Sequence, residues 1–150
     1  MKLLLDAMLG KLATYLRMCG YDAVYALDEG IEDDGEILSR ARAADRTLVT
    51  RDRELAACAD DSICIDSRDI DGQLRELASV GFDLHLSATP ERCSECNGEL
   101  TAVDPATTTP GYAPDPAGTA VWRCDDCGQH FWKGSHWADV RQRLAAIRGG

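Results

Sequence analysis

The chain has 150 residues, 45% of them hydrophobic, and a formal net charge of −10. This length suits one ordinary domain or a small domain with an appendage. No apolar run approaches the ~20 residues of a membrane-spanning helix, and Asp6 interrupts the apolar N-terminus, which argues against a signal peptide. We therefore expect a cytoplasmic protein without membrane contact. The acidity argues against a broad nucleic-acid surface of Lys and Arg, unless divalent cations at clustered carboxylates reverse the local field.

Strand and helix patterns alternate along the first half of the chain. Short apolar segments predict strands at residues 2–5, 21–27, 46–50 and 62–65. Apolar residues at helical spacing predict a helix after each of these strands, the last one over residues 69–79. Such alternation predicts right-handed βαβ units and a parallel sheet with helices on its faces. We expect two arginines of these helices, Arg17 and Arg53, to lie on solvated helix faces.

The composition changes in the second half of the chain. Residues 102–118 hold four of the five prolines, which predicts a loop. By count of Lys and Arg against Asp and Glu, residues 1–86 carry 10 against 18 and residues 87–150 carry 6 against 8. The sequence thus divides into an acidic domain at residues 1–86 and a nearly neutral segment at 87–150. Residues 138–148 are predicted to form a closing helix with Val140, Leu144 and Ile147 on one face.

Four of the seven cysteines form two C-x-x-C pairs separated by 27 residues: Cys93, Cys96, Cys124 and Cys127. Each pair is followed by a residue that tolerates a left-handed backbone, which is typical of the two turns of a zinc ribbon. Four thiolates leave no open position on the metal, so the predicted role of zinc is structural. Iron in the same cage is an alternative. Redox or disulfide pairs are a further alternative, but a thioredoxin-type pair belongs beside a βαβ unit.

Three carboxylates follow predicted strands. Asp6 directly follows the first strand, Asp34 opens the helix after the second, and Asp52 follows the third. Because the carboxyl ends of parallel strands meet at one edge of the sheet, these side chains are expected to converge there. Oxygen ligands of this kind suit Mg²⁺ or Mn²⁺. The alternative for the acids before the second helix, Asp33 or Asp34, and for Asp52 is a purely structural role as helix N-caps.

Two basic residues are candidates for contacts with phosphate beside this edge. Lys11 lies on the first helix, about one turn from the acids, and Arg51 directly precedes Asp52. The alternative for each is a solvated position on the surface.

The sequence resembles the Mut-seven C-terminal RNase family, a PIN-like nuclease domain with a C-terminal zinc ribbon. The matching stretches run from residue 3 to residue 137 and are "LLLDAMLGKLATYLRMCGYDA", "DDGEILSRA", "LVTRDREL", "DGQLREL", "RCSECNGEL" and "WRCDDCGQHFWKGSHW". The resemblance implies an α/β protein with a PIN-like three-layer α/β/α fold and metal-dependent endoribonuclease activity. It also implies that Asp6, Asp34 and Asp52 are the metal-binding acids. The fourth acid of a full PIN quartet has no clear match, with Asp66 and Asp71 as candidates.

The segment after the second cysteine pair, "HFWKGSHW" at residues 130–137, combines aromatic and basic side chains. Aromatic residues in such a segment can stack on bases, while Lys133 and His136 can contact phosphate. The alternative is that the aromatic side chains pack the small ribbon or dock it on the nuclease domain.

The sequence thus leaves two alternative functions. The first is a Mg²⁺- or Mn²⁺-dependent endoribonuclease whose ribbon is structural or assists RNA binding. The second is a non-catalytic adaptor that binds RNA or protein through the ribbon.

Overall fold

A computed structural model of the protein describes residues 1–149. Its larger sheet contains four parallel strands, β1 (Lys2–Leu5), β2 (Asp22–Tyr25), β3 (Thr47–Thr50) and β4 (Ser62–Cys64), in the order β2-β1-β3-β4. The chain crosses the sheet between these strands through helices α1 (Gly10–Met18), α2 (Asp34–Ala43) and α3 (Arg53–Cys58). Helix α4 (Ile70–Ser79) follows the last strand. The predicted α/β alternation and the parallel sheet are confirmed.

Hydrophobic residues form two separate cores on the two faces of this sheet. Leu3 and Leu5 of β1 contribute to one core, and Leu4 between them contributes to the other, because neighbouring side chains of a strand point to opposite faces. Helices α1 and α4 cover the first face, and helices α2 and α3 cover the second. The predicted arrangement of three layers, with helices on both faces of a central sheet, is therefore confirmed.

The second sheet is small and antiparallel. It contains β5 (Leu100–Ala102), β6 (Val121–Cys124) and β7 (His130–Trp132), in the order β5-β6-β7. One C-x-x-C pair lies in the turn before β5, and the other joins β6 to β7. The proline-rich segment lies between β5 and β6 and has no regular secondary structure, as predicted.

The C-terminal helix α5 (Ser135–Gly149) packs against the first core and not against the small sheet. Val140, Leu144 and Ile147, the three residues predicted to share a face, are buried with residues of α1 and α4. The chain therefore returns to the first unit after completing the ribbon. The division at residues 86 and 87 stays a prediction. Within residues 1–149, every helix is too short or too polar to cross a bilayer.

The structure departs from the sequence predictions in three places. Helix α5 begins at Ser135, three residues before its predicted start at 138. Strand β2 ends at Tyr25, two residues earlier than predicted, and residues Ala26–Glu29 form a 3₁₀ turn. Arg17 does not lie on a solvated face, because its side chain is only 3% exposed. Arg53, in contrast, is exposed as expected and pairs with Asp66.

Candidate active site and metal centre

The four paired cysteines form a compact cluster whose sulfur atoms all lie within 4.8 Å of one another. The sulfur of Cys93 lies 3.7 Å from that of Cys127, and the sulfur of Cys96 lies 3.5 Å from that of Cys124. A tetrahedral zinc site with 2.3 Å bonds separates its sulfurs by about 3.8 Å. The distances therefore fit a four-thiolate metal site, and the predicted cluster is confirmed. The cysteines are free and form no disulfide.

The backbone at the two turns brings the sulfurs together. Asn97 after the first pair and Gly128 after the second have φ angles of 73° and 79°, in the left-handed region. At Gly98 an added Cβ would lie 2.8 Å from the sulfur of Cys124, so only glycine leaves room for the cluster.

The backbone N–H of Cys127 donates to the sulfur of Cys124 at 3.4 Å. Burial would raise the pKa of Cys124, but backbone hydrogen bonds and the thiols of Cys96 and Cys127 outweigh it and lower that pKa. Burial raises the pKa of Cys93 and Cys96, in contrast.

Asp6 lies at the carboxyl edge of the parallel sheet, as predicted. Its Oδ1 accepts a hydrogen bond from the backbone N–H of Ala7 at 2.7 Å, and its Oδ2 accepts one from the hydroxyl of Thr50 at 2.7 Å. Thr50 is the last residue of β3, and its own side chain is fully buried. The register of β1 and β3 thus holds the Asp6 carboxylate in one orientation.

The backbone of Asp52 is hydrogen-bonded to the same threonine hydroxyl as the Asp6 carboxylate. Its backbone N–H donates to the Thr50 hydroxyl at 3.0 Å. Its Oδ1 accepts from the backbone N–H groups of Glu54 and Leu55, so it caps α3. The capping role that was the alternative for Asp52 is therefore confirmed for Oδ1. Oδ2 accepts neither of the capping bonds.

The two acids at the start of α2 have different roles. Asp33 is the N-cap and accepts from the backbone N–H of Glu36 at 3.1 Å. Asp34 is the first helical residue, is exposed, and has no part in the cap. The capping alternative therefore applies to Asp33 and not to Asp34.

The three aspartates do not form a ready-made cage like that of the cysteines. Among residues 1–149, the cysteine cluster is the only group of three or more potential ligands gathered closely enough to hold a metal ion. The metal-binding role of Asp6, Asp34 and Asp52 stays a prediction. The two candidates for a fourth acid already have arginine partners, since Asp66 pairs with Arg53 and Asp71 with Arg143.

Sequence reasoning missed two groups at this edge, Thr50 and Tyr25. The Tyr25 hydroxyl donates to the carbonyl oxygen of Ala7, and its ring packs against Gly10, where an added Cβ would lie only 2.9 Å from the ring. Burial raises the pKa of Tyr25, and the nearby carboxylates of Asp28 and Asp6 raise it further. In the sequence, each of these residues is only a polar residue at the end of a predicted strand. Such residues are common, so the pattern does not identify a site.

The predicted basic residues differ in their surroundings. Lys11 is exposed on α1. Arg51 donates to the Asp66 carbonyl at 3.4 Å, while its Nε atom is buried without a hydrogen-bond partner within residues 1–149. Lys133 donates to the Ala88 carbonyl and lies 5.5 Å from the centre of the Trp137 ring, and His136 is exposed. Contact of these four residues with RNA stays a prediction.

The first cysteine turn is bound directly to the edge of the larger sheet. Asn97 accepts from the backbone N–H of Ala23 at 2.9 Å and donates to the carboxylate of Asp22 at 2.8 Å. Arg17 donates to the carbonyl oxygens of Ala23 and Ser94 at 2.8 and 3.1 Å. These bonds explain why Arg17 is buried. Its guanidinium joins β2 to the first cysteine turn, although Arg17 and Ser94 are 77 positions apart.

Fold and sites together define an α/β protein with a parallel sheet and a four-cysteine ribbon. A model of the family described as Mut7-C RNAse domain matches residues 1–144, and the chain belongs to this family. The family predicted from the sequence is thus confirmed. No curated protein and no solved structure gives a significant match to the chain.

Proposed function

We propose that the protein is a metal-dependent endoribonuclease that hydrolyses phosphodiester bonds of RNA at the carboxyl edge of its parallel sheet. Membership of a family described as an RNase domain supports a nuclease role. The observation that carries the proposal is the Thr50 hydroxyl, which donates to the Asp6 carboxylate and accepts from the backbone of Asp52. One buried hydroxyl therefore joins the Asp6 carboxylate to the backbone of Asp52, two acids that are distant in sequence.

The proposed site contains Asp6, Asp34 and Asp52 as ligands for Mg²⁺ or Mn²⁺, which such oxygen ligands suit. When bound, the cation would polarise the phosphodiester and supply a hydroxide nucleophile. Asp6 enters this site with its orientation set by Ala7 and Thr50. Asp52 presents Oδ2, because its cap bonds fall on Oδ1. Asp34, exposed and without a capping bond, is free to turn toward the same cation.

The cysteine cluster has a different proposed role. Four thiolates complete the coordination of zinc, so the metal stabilises the ribbon and takes no part in the hydrolysis. The alternative function, a non-catalytic adaptor, is favoured by the wider spacing of the aspartates compared with the cysteines.

Cleavage of a circular RNA separates these functions. A circle has no ends, so only an endonuclease opens it. With Mg²⁺ or Mn²⁺, we expect cleavage by the wild type and a loss of ~100-fold or more in Asp6→Asn, since even outer-shell changes cost 10–100-fold at metal sites. Asp45→Asn is the matched control: Asp45 lies at the opposite edge of the sheet, before β3, and asparagine tolerates its φ of 53°.

Three results bear on this proposal. Equal rates for the wild type and Asp6→Asn would remove the endoribonuclease and leave the adaptor. An equal loss in Asp45→Asn would show that the effect is not specific to the site. A circular DNA of the same sequence, tested in parallel, reports whether the substrate is RNA alone.

A further inference from the structure

A groove of about 280 Å³ separates α1 from the ribbon. One wall is aromatic and contains Phe131, Trp132 and Trp137, all partly exposed. The opposite wall contains Thr14 and Met18 of α1. The aromatic side chains therefore do not only pack the ribbon, as one alternative from the sequence held; part of their surface faces an open groove.

The arginines that line the groove already have partners. Arg17 is bonded to two carbonyl oxygens and lies 3.6 Å from the Asp28 carboxylate. Arg92 lies 3.8 Å from Asp22. Glu91 and Glu95 also line the groove and are exposed. Because the arginines have partners and the glutamates are near, the groove repels a phosphate and suits a flat, uncharged group with polar edges.

We propose that this groove binds an unpaired base of an RNA strand, stacked on the aromatic wall. Unpaired bases stack on aromatic side chains and are recognised at their polar edges. That the base belongs to RNA rests on the proposed function. The polar side chains that can bond the edges of a base are Ser135 and Gln129, which line the groove beside the aromatic wall.

Helix α1 connects the acidic edge, where it begins, with the groove, which its second half lines. Gly10, at the start of α1, contacts Tyr25 at the acidic edge. Thr14, which lines the groove, is four residues further along the helix, about 6 Å from Gly10 along the helix axis. Lys133, next to the aromatic wall and exposed, is placed for the phosphate that adjoins the bound base. One RNA strand can therefore place a base in the groove and a nearby phosphodiester at the aspartates.

The test measures binding without cleavage, in the full-length Asp6→Asn protein with zinc retained. The probes are a fluorescein-labelled hexauridylate and an abasic strand with the same number of phosphates, followed by fluorescence anisotropy. We expect the abasic strand to bind about tenfold or more weakly. We expect Trp137→Leu to weaken hexauridylate binding by a similar factor, and Trp137→Phe, which keeps an aromatic ring, to retain most of it.

Trp122→Leu is the matched control, because Trp122 lies beside the proline-rich segment, outside the groove. Zinc content and circular dichroism establish that each variant is folded. The slope of affinity against salt adds a second readout: Trp137→Leu should leave it unchanged, whereas Lys133→Met should reduce it by about one.

Equal binding of the abasic strand and hexauridylate would overturn the proposal. Equal losses in Trp137→Leu and Trp122→Leu, or no binding of either strand, would overturn it as well. Base-dependent binding without cleavage by the wild type would instead support the groove and contradict the nuclease. Cleavage that needs Asp6, with no difference between the two strands, would support the nuclease and contradict the groove.

Discussion

The cysteine cluster and the aspartate edge are two sites of the same chain that are assembled in different ways. Each C-x-x-C pair is local, and a single turn brings two sulfurs to the same point. The aspartates come from three different βα connections, and only strand pairing and the Thr50 hydroxyl bring Asp6 and Asp52 together. The comparison teaches that a site from two short turns needs only the pairing of β5 with β6 to complete it, whereas a site from separate strand ends depends on the whole sheet beneath it.

The largest expected effect is on the cysteine cluster. Cys93→Ser removes a buried ligand, and zinc sites of this kind contribute ~10–16 kcal/mol to folding. We expect one zinc per chain in the wild type and a loss of metal in the variant, with faster hydrogen exchange over residues 88–135. Metal analysis and exchange mass spectrometry measure both.

Cys58→Ser is the control for this change, because Cys58 is exposed and outside the cluster. Folded wild-type protein that contains neither zinc nor iron would contradict the proposed metal site at the cysteine cluster.

The second largest effect is expected at Thr50. Thr50→Val keeps the shape of the side chain but leaves the Asp6 carboxylate and the Asp52 N–H without their common partner. We expect cleavage to fall by ~10–100-fold, and folding to weaken by about 1–3 kcal/mol. Cleavage assays and urea denaturation measure the two effects.

Thr50→Ser restores the hydroxyl and should recover most of the activity. A Thr50→Ser protein as inactive as Thr50→Val would show that the hydroxyl alone does not position the acids and that the methyl group is also required.

The junction between the two units allows a smaller test. Asn97→Gly keeps the left-handed turn but removes the bonds to Asp22 and Ala23. We expect zinc to stay bound and the ribbon to stay folded, while hydrogen exchange at β2 increases. The expected loss of stability is about 1–3 kcal/mol. Loss of zinc from this variant would mean that docking and metal binding are one event.

The smallest effect concerns pH. Burial would raise the pKa of Asp22, but hydrogen bonds from Arg46 and Asn97 outweigh it and lower that pKa. Because the folded pKa is lowered, Asp22 stabilises the fold above its unfolded pKa, and this contribution is lost as the pH falls through the folded pKa. The difference in urea midpoint between the wild type and Asp22→Asn should therefore shrink as the pH falls below about 4. A difference that is constant over this range would contradict the role of the Asp22 charge.

The sequence by itself determined the features that depend on near neighbours. Apolar segments such as "KLLL" located the four parallel strands, and the C-x-x-C spacing located the ligands of the metal cluster. Asp6 was placed correctly at the sheet edge because a carboxylate directly after a buried strand has few other positions. These patterns are local, since they depend on periodicity and turn geometry within a few residues.

Only the tertiary structure decided which distant residues meet. Arg17 was expected in solvent, but its side chain is buried and donates to the carbonyl oxygen of Ser94, 77 residues away. Helix α5 was predicted as an amphipathic helix, but nothing in its pattern shows that its apolar face joins the first core. Thr50 was not predicted as the link between Asp6 and Asp52. A periodic pattern shows that a side chain is buried, but its partner depends on how whole elements pack, and that is a property of the complete fold.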